Sequence, residues 1–215
     1  LLGRNGMGKT TLIRSLLGIK SPQAGSVRFE GTEITGNSSD KIARMGLAVV
    51  PEGRQVFPNL SVDEHLTAFA ARRNGAAQPW TPESVYALFP RLAERKKNMG
   101  NQLSGGEQQM LAIGRALVAN PDLVLMDEPS EGLSPRFVLH VGEIMKRMRS
   151  LGHAILLVEQ NLALALSVAD HVHIIASGRF VFSGTPEELK SRPDVLDEHL
   201  GVSGAKSLDD IGAHA

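Results

Sequence analysis

The stretch Gly3-Arg-Asn-Gly-Met-Gly-Lys-Thr10 has the spacing G-x-x-x-x-G-K-[ST], whose chemistry is phosphate binding. Small residues let the backbone curl until successive N–H groups point at one anion, and a following helix adds the positive end of its dipole. Lys9 would reach the β- and γ-phosphates of a nucleotide, and the Thr10 hydroxyl would hold Mg2+. Gly3, Arg4, Asn5, Gly6, Gly8, Lys9, Thr10 and Thr11 are therefore the expected nucleotide-binding residues of this loop. A second candidate, "LVLMDEP", is an apolar strand whose end carries Asp127 and Glu128. Acidic residues often finish strands, so the pair alone is ambiguous. Downstream of a phosphate loop it acquires a division of labour, because successive strand side chains point in different directions. Asp127 would hold Mg2+ through water, and Glu128 would polarise the water attacking the γ-phosphate. In a third stretch, "QLSGGEQQ", Ser104, Gly105 and Gly106 open a helix and offer a hydroxyl, free N–H groups and a dipole end to an anion. An ordinary helix cap would use the same serine with Glu107. What separates the two readings is the order: phosphate loop, LSGGEQQ, then Asp-Glu on a strand.

These groups need a scaffold. The apolar Leu1-Leu2 reads as the end of a strand feeding the loop, with the upstream strands missing from this chain. A helix is expected over about residues 8–18, a short strand in "GSVRFEG" and a buried strand in "GLAVVPEG". Between residues 61 and 99 two helical patterns, "SVDEHLTAFAARR" and "TPESVYALFPRLAERKK", flank "NGAAQPWTP", which reads as a surface loop containing Trp80. From "GEQQMLAIGRALVANP" onward helices alternate with the strands "LVLMDE", "AILLVEQ" and "HVHIIAS". Such alternation predicts an α/β fold, a mostly parallel sheet with helices on both faces and an inserted helical lobe. The expected division is one domain, with a sheet lobe at 1–58 and 115–200, a helical lobe at 59–114 and a loosely held tail at 201–215.

The 215 residues are 42% hydrophobic, enough for a sizeable core. Lysine and arginine number 23 and so do aspartate and glutamate, a balance that argues against a nucleic-acid footprint and against strong attraction to an anionic membrane surface. No cysteine is present, so disulfide and thiolate chemistry are excluded. No apolar run approaches the roughly 20 residues needed to span a bilayer, which leaves any membrane role to a partner.

With "GRNGMGKTT", "LSGGEQQ", "LVLMDEP" and "SEGLSP" in this order, the chain resembles the ATP-binding cassette (ABC) family over essentially its whole length. The resemblance implies a P-loop, RecA-like ATPase that uses ATP and Mg2+ and pairs head to tail with a second cassette. Ser104, Gly105 and Gly106 would then contact nucleotide bound by the partner, and ATP binding and hydrolysis would drive a cycle of closure and opening. Three switch positions depart from the common pattern. Glu52 stands where the loop to the helical lobe usually carries glutamine, Ser134 where the segment after "GL" usually carries aspartate, and Gln160 where a histidine usually follows the last strand. Glutamine can hydrogen-bond a γ-phosphate but cannot take up a proton's charge. With Lys9, Thr10, Asp127 and Glu128 intact, hydrolysis is expected to survive, Glu128, Gln160 and Lys9 being the catalytic set.

The departures themselves, "VPEGRQVFPNLSVDEHL", "DEPSEGLSP" and "LVEQN", resemble the LivF-type ATPases of bacterial branched-chain amino-acid importers. That resemblance implies a non-identical cassette partner, two transmembrane permease subunits, a periplasmic binding protein acting indirectly, and residence at the cytoplasmic face of the membrane. It also places "EGRQVFPNL", with Phe57, against a membrane subunit. Urea and short-chain amide importers share much of the pattern, and a translation-type ABC ATPase is a non-transport alternative. Chromosome-maintenance ATPases separate the first two motifs by a long coiled coil, absent here, and no guanine-reading Asn-Lys-x-Asp is present. His171 and His173, two apart on a strand, lack the third ligand of a metal site and read as packed or solvated. The stripe "LALALSVA" reads as a core-facing helix.

Overall fold

The computed structural model describes residues 1–71 and 79–201. The expected tail beyond residue 201, and residues 74–78 of the expected loop, lie outside the described residues. Three apolar segments, β3 (Leu47–Val50), β4 (Leu123–Asp127) and β5 (Ala154–Val158), pair in parallel, with Leu47 opposite Leu123 and Asp127 opposite Val158. Leu1-Leu2 continues this sheet. Glu159 donates its N–H to the Leu1 carbonyl at 3.1 Å, Leu2 donates to His173 at 2.8 Å, and Ile175 donates to Leu2 at 2.9 Å. The strand entering the phosphate loop thus runs between β5 and β6 (Val172–Ala176), parallel to both.

Alternation along β4 assigns the two faces. Val124 and Met126 point to a core shared with α6 (Gly105–Leu117) and α7 (Pro135–Ser150), through Leu111, Ile144, Met145 and Met148. Leu125 points the other way, to Ile13 and Leu17 at α1 (Lys9–Leu16) and to Ile42 of α2 (Ser39–Arg44). A third cluster packs Leu162, Ala165 and Leu166 of α8 (Leu162–Val168) against Leu2 and Ile174, so the stripe "LALALSVA" does face a core.

Between β3 and α6 stand three helices: α3 (Val62–Phe69), α4 (Pro82–Leu88) and α5 (Pro90–Glu94). Their Val62, Leu66, Val85, Phe89 and Leu92 join the α6 core, which is continuous with the sheet. The expected second helix is broken in two at Phe89-Pro90, because proline lacks the N–H that a continuing helix would need. Several short elements were not expected from the sequence: α2; β2 (Thr32–Glu33), which pairs antiparallel with β1 (Arg28–Phe29); β7 (Arg179–Gly184), antiparallel to β6; and α9 (Pro186–Lys190).

The expectation that Trp80 lies on a surface loop is corrected. Trp80 is buried; its backbone N–H donates to Asn120 Oδ1 at 2.6 Å, and its indole N–H donates to His153 Nε2 at 2.7 Å. His153 Nδ1–H donates in turn to the Pro121 carbonyl at 3.0 Å. Asn120, at φ 53, returns its amide to the carbonyls of Ala71, Trp80 and Val118. Asparagine tolerates that left-handed backbone, and its side chain bonds the approach to α4 to the turn between α6 and β4.

Candidate nucleotide site

The phosphate loop is built by backbone geometry. Gly6 and Gly8 have φ of 79 and 103, conformations that other residues rarely adopt, and a Cβ on Gly3 would stand 2.6 Å from the Ile175 carbonyl oxygen. Gly8 hands the chain to α1, whose first residue is Lys9. A turn between β6 and β7 clasps the loop: Gly178 donates to the Met7 carbonyl at 3.1 Å, and Ser177 N–H points at the Met7 sulfur at 3.2 Å.

Lys9 is 4% exposed, and its ammonium donates to the carbonyls of Gly3 (2.7 Å) and Arg4 (3.1 Å) while pairing with Glu128 at 3.3 Å. Glu128 holds the strained φ of 48 and receives a 2.6 Å hydrogen bond from the Gln160 side chain. Three of the residues expected from the sequence, Lys9, Glu128 and Gln160, therefore form one connected cluster.

Asp127 is buried, 3% exposed. Its Oδ1 is buried without a protein partner, and the Thr10 side chain lies close enough to influence the carboxylate. Burial is the main force raising its pKa above the usual carboxylate value; Thr10 opposes it, Glu52 and Glu128 add to it, and Lys9 opposes it. A buried acceptor lone pair beside a threonine hydroxyl is a donor set suited to Mg2+, so Thr10 and Asp127 fit the ion expected from the sequence. Glu52 is exposed beside them, lining with Thr10 and Asp127 a cleft of about 900 Å3 that extends to Phe57, Phe69 and Arg115. Arg4, Asn5, Gly6 and Thr11 occupy the loop and the start of α1.

Ser104, Gly105 and Gly106 lie elsewhere, at the N-terminus of α6. Ser104 caps the helix reciprocally: its Oγ accepts the Glu107 N–H, and the Glu107 carboxylate accepts the Ser104 N–H at 2.8 Å. A Cβ on Gly105 would come within 3.0 Å of the Arg54 guanidinium, and one on Gly106 within 2.5 Å of the Phe137 ring. Arg54 also donates to the Glu131 carbonyl at 3.3 Å.

The ABC transporter family model matches residues 1–131. The chain belongs to the ABC transporter family. It is 44% identical over 201 residues to the high-affinity branched-chain amino acid transport ATP-binding protein BraG of Pseudomonas aeruginosa, covering 94% of this chain and 86% of that protein. It is 37% identical to the probable branched-chain amino acid transport ATP-binding protein LivF of Archaeoglobus fulgidus, covering 88% and 80%. To the lipopolysaccharide export system ATP-binding protein LptB of Escherichia coli K12 it is 31% identical, covering 94% and 84%. Among solved structures, MJ1267, an ATP-binding cassette of an ABC transporter, superimposes with a TM-score of 0.79 at 24% identity, covering 94% of this chain and 86% of the other. A nucleotide-free ATP-binding cassette superimposes with a TM-score of 0.77 at 25% identity, covering 94% and 87%. The chain is thus an ABC-type ATPase of the P-loop fold that binds nucleotide and works with membrane permease partners. Among the described residues no helix is long and apolar enough to cross a membrane.

Sequence reasoning missed three side chains that shape the cassette. Glu159, 2% exposed, binds the backbone N–H groups of Ser130, Gln160 and Asn161; a lone acid after an apolar strand was its only signal. His65, fully buried in α3, accepts the Phe57 N–H on Nε2 at 2.9 Å and donates Nδ1–H to the Ser61 carbonyl at 2.7 Å. Arg115 completes that support, its guanidinium lying 5.6 Å from the Phe57 ring centroid and 5.1 Å from that of Phe69, with a 2.9 Å bond to the Gln55 carbonyl. Histidine and arginine inside helices read as ordinary polar positions until the loop they hold is seen.

Proposed function

We propose that this ABC ATPase powers inward transport of branched-chain amino acids. In this reading it works at the cytoplasmic face of the membrane with a second, non-identical cassette and two permease subunits, fed by a periplasmic binding protein. The observation that carries the substrate class is the 44% identity to BraG over 94% of the chain. The support for hydrolysis at this chain's own loop is the cluster of Lys9, Glu128 and Gln160, with contacts of 3.3 and 2.6 Å.

ATP is the substrate. The N–H groups of the loop and Lys9 would grip its phosphates, exchanging the Gly3 and Arg4 carbonyls that Lys9 now holds for phosphate oxygens. Mg2+, when bound, neutralises charge developing on the β- and γ-phosphate oxygens, and Thr10 and Asp127 would hold it. Glu128 would accept a proton from the attacking water, and Gln160, already bonded to that carboxylate, would fix its orientation without adding positive charge. Ser104, Gly105 and Gly106 would bind the nucleotide of the second cassette.

Three measurements test this reading. In the assembled transporter, Glu128→Gln should lower turnover by about 100-fold or more while ATP still binds; unchanged total hydrolysis would make this a regulatory site. Recovery of the full-length protein from its native membrane should bring down two permease subunits and a different cassette. Stimulation of ATPase activity by binding protein loaded with leucine, isoleucine or valine would then establish the substrate, and stimulation by urea or a short-chain amide instead would replace it.

A further inference from the structure

Glu159 adjoins the switch glutamine and is buried, yet it points away from the Lys9–Glu128–Gln160 cluster and into the backbone. Its Oε1 accepts the Ser130 N–H at 3.0 Å; its Oε2 accepts both the Gln160 and Asn161 N–H groups at 3.0 Å. Its own N–H donates to the Leu1 carbonyl in the strand that enters the phosphate loop. One residue therefore fastens three segments: the entry to the phosphate loop, the turn two residues beyond Glu128, and the turn that carries Gln160.

A carboxylate removed from water is costly unless its oxygens are occupied, and here both are taken by donors from the two segments whose side chains meet in the site. That meeting needs outside support. Glu128 sits at φ 48, a backbone an ordinary residue adopts only when its surroundings hold it there. Gln160 belongs to a turn whose side chain reaches Glu128 at 2.6 Å. Shifts of a few tenths of an ångström between the two turns would lengthen or break that bond.

We propose that Glu159 is a positioning residue for hydrolysis. By clamping the Ser130 and Gln160–Asn161 turns together, it sets the Gln160–Glu128 geometry and so the aim of the base. It touches neither nucleotide nor the Glu128 side chain, and the inference rests on the reading of Glu128 as the base.

The isosteric variant Glu159→Gln discriminates well, because an amide has one acceptor end and one donor end. Whichever way it is placed, its NH2 group faces an N–H donor, and one of the two turns is released. In the full-length subunit assembled with its partners in proteoliposomes, E159Q should lower kcat by about tenfold while KM for ATP stays within about twofold, the split expected when a transition-state interaction alone is lost. Because Glu159 acts through Gln160, adding E159Q to a Gln160→Ala background should change kcat by less than about twofold. An undiminished kcat in E159Q, or an equal further loss in the Q160A background, would overturn the proposal. If E159Q does not assemble, Glu159→Asp is put through the same cycle, since it keeps the charge but is too short to reach both turns. Glu128→Gln measured alongside separates the two readings. If E128Q turns over normally, the assignment of the base fails; if E128Q is dead and E159Q runs at full rate, only the clamp fails.

Discussion

Asp127 and Glu128 are neighbours in sequence with opposite fates. Glu128 is paired with Lys9 and hydrogen-bonded by Gln160; Asp127 is buried with Oδ1 unpartnered, and its pKa is raised chiefly by that burial. A carboxyl whose folded pKa lies above its unfolded value weakens the fold at pH values where the unfolded group is ionised, and the penalty lifts as pH falls through the folded pKa. Asp127→Asn should therefore raise Tm at pH 7.5 by about 2–4 °C while abolishing Mg2+-dependent turnover. Differential scanning calorimetry without nucleotide, set beside an ATPase assay, checks both; a lower Tm would contradict the account. Lys9, Glu128 and Gln160, expected from type and spacing, meet in the structure. Glu159 and His65 escaped because their work is done on backbone groups, which no residue pattern displays.

At the scale of elements, α6 shows how one segment answers two needs. Its Ser104–Glu107 capping box satisfies the helix start on its own, so the serine of LSGGEQQ was legible as a cap even before any partner nucleotide was invoked. The glycines that follow are fixed by neighbours instead: Gly106 faces the Phe137 ring of α7. Gly106→Ala should force that ring aside and cost about 1–3 kcal/mol, read as a drop in the urea midpoint with an unchanged slope; stability within experimental error would show that Phe137 yields freely. Helix α3 carries a titratable support. Burial above all lowers the His65 pKa below its usual 6.5, and Arg115 adds to this, while the Ser61 carbonyl and Glu64 oppose it. The neutral ring is the folded form, so its contribution is complete above about pH 6.5 and is lost as pH falls through the depressed folded value. Tm should decline between pH 6.5 and 5 more steeply in the native chain than in His65→Gln, whose side-chain oxygen can still accept the Phe57 N–H. Parallel slopes would remove His65 from the account. The strand β7 escaped sequence reading because most of its positions, Phe180 and Val181 among them, stay exposed, and the alternation that marks a half-buried strand is blurred.

For the whole molecule, the parallel core of β3, β4 and β5 followed from apolar runs alternating with helices, and its two faces are the ones such a pattern requires. What could not be read was how the helices α3 to α5 are fastened to it, since those ties join residues far apart in sequence. The cleft running from Thr10 and Asp127 to Phe57 and Phe69 links the nucleotide residues to an exposed aromatic ledge. A photo-cross-linker at position 57 in the assembled transporter should capture a permease subunit; capture of the cassette partner alone would move the docking surface elsewhere.

The hydrogen bond between Trp80 and His153 gives the molecule a built-in optical probe. Trp80 is the sole tryptophan of the 215 residues, so every photon excited at the red edge of the absorption band comes from an indole whose N–H ends on the sheet side of the molecule. Indole emission shifts to longer wavelength as the ring meets water. A rotation of α4 away from the turn before β5 would therefore be visible in unlabelled protein, in real time, as nucleotide is mixed in.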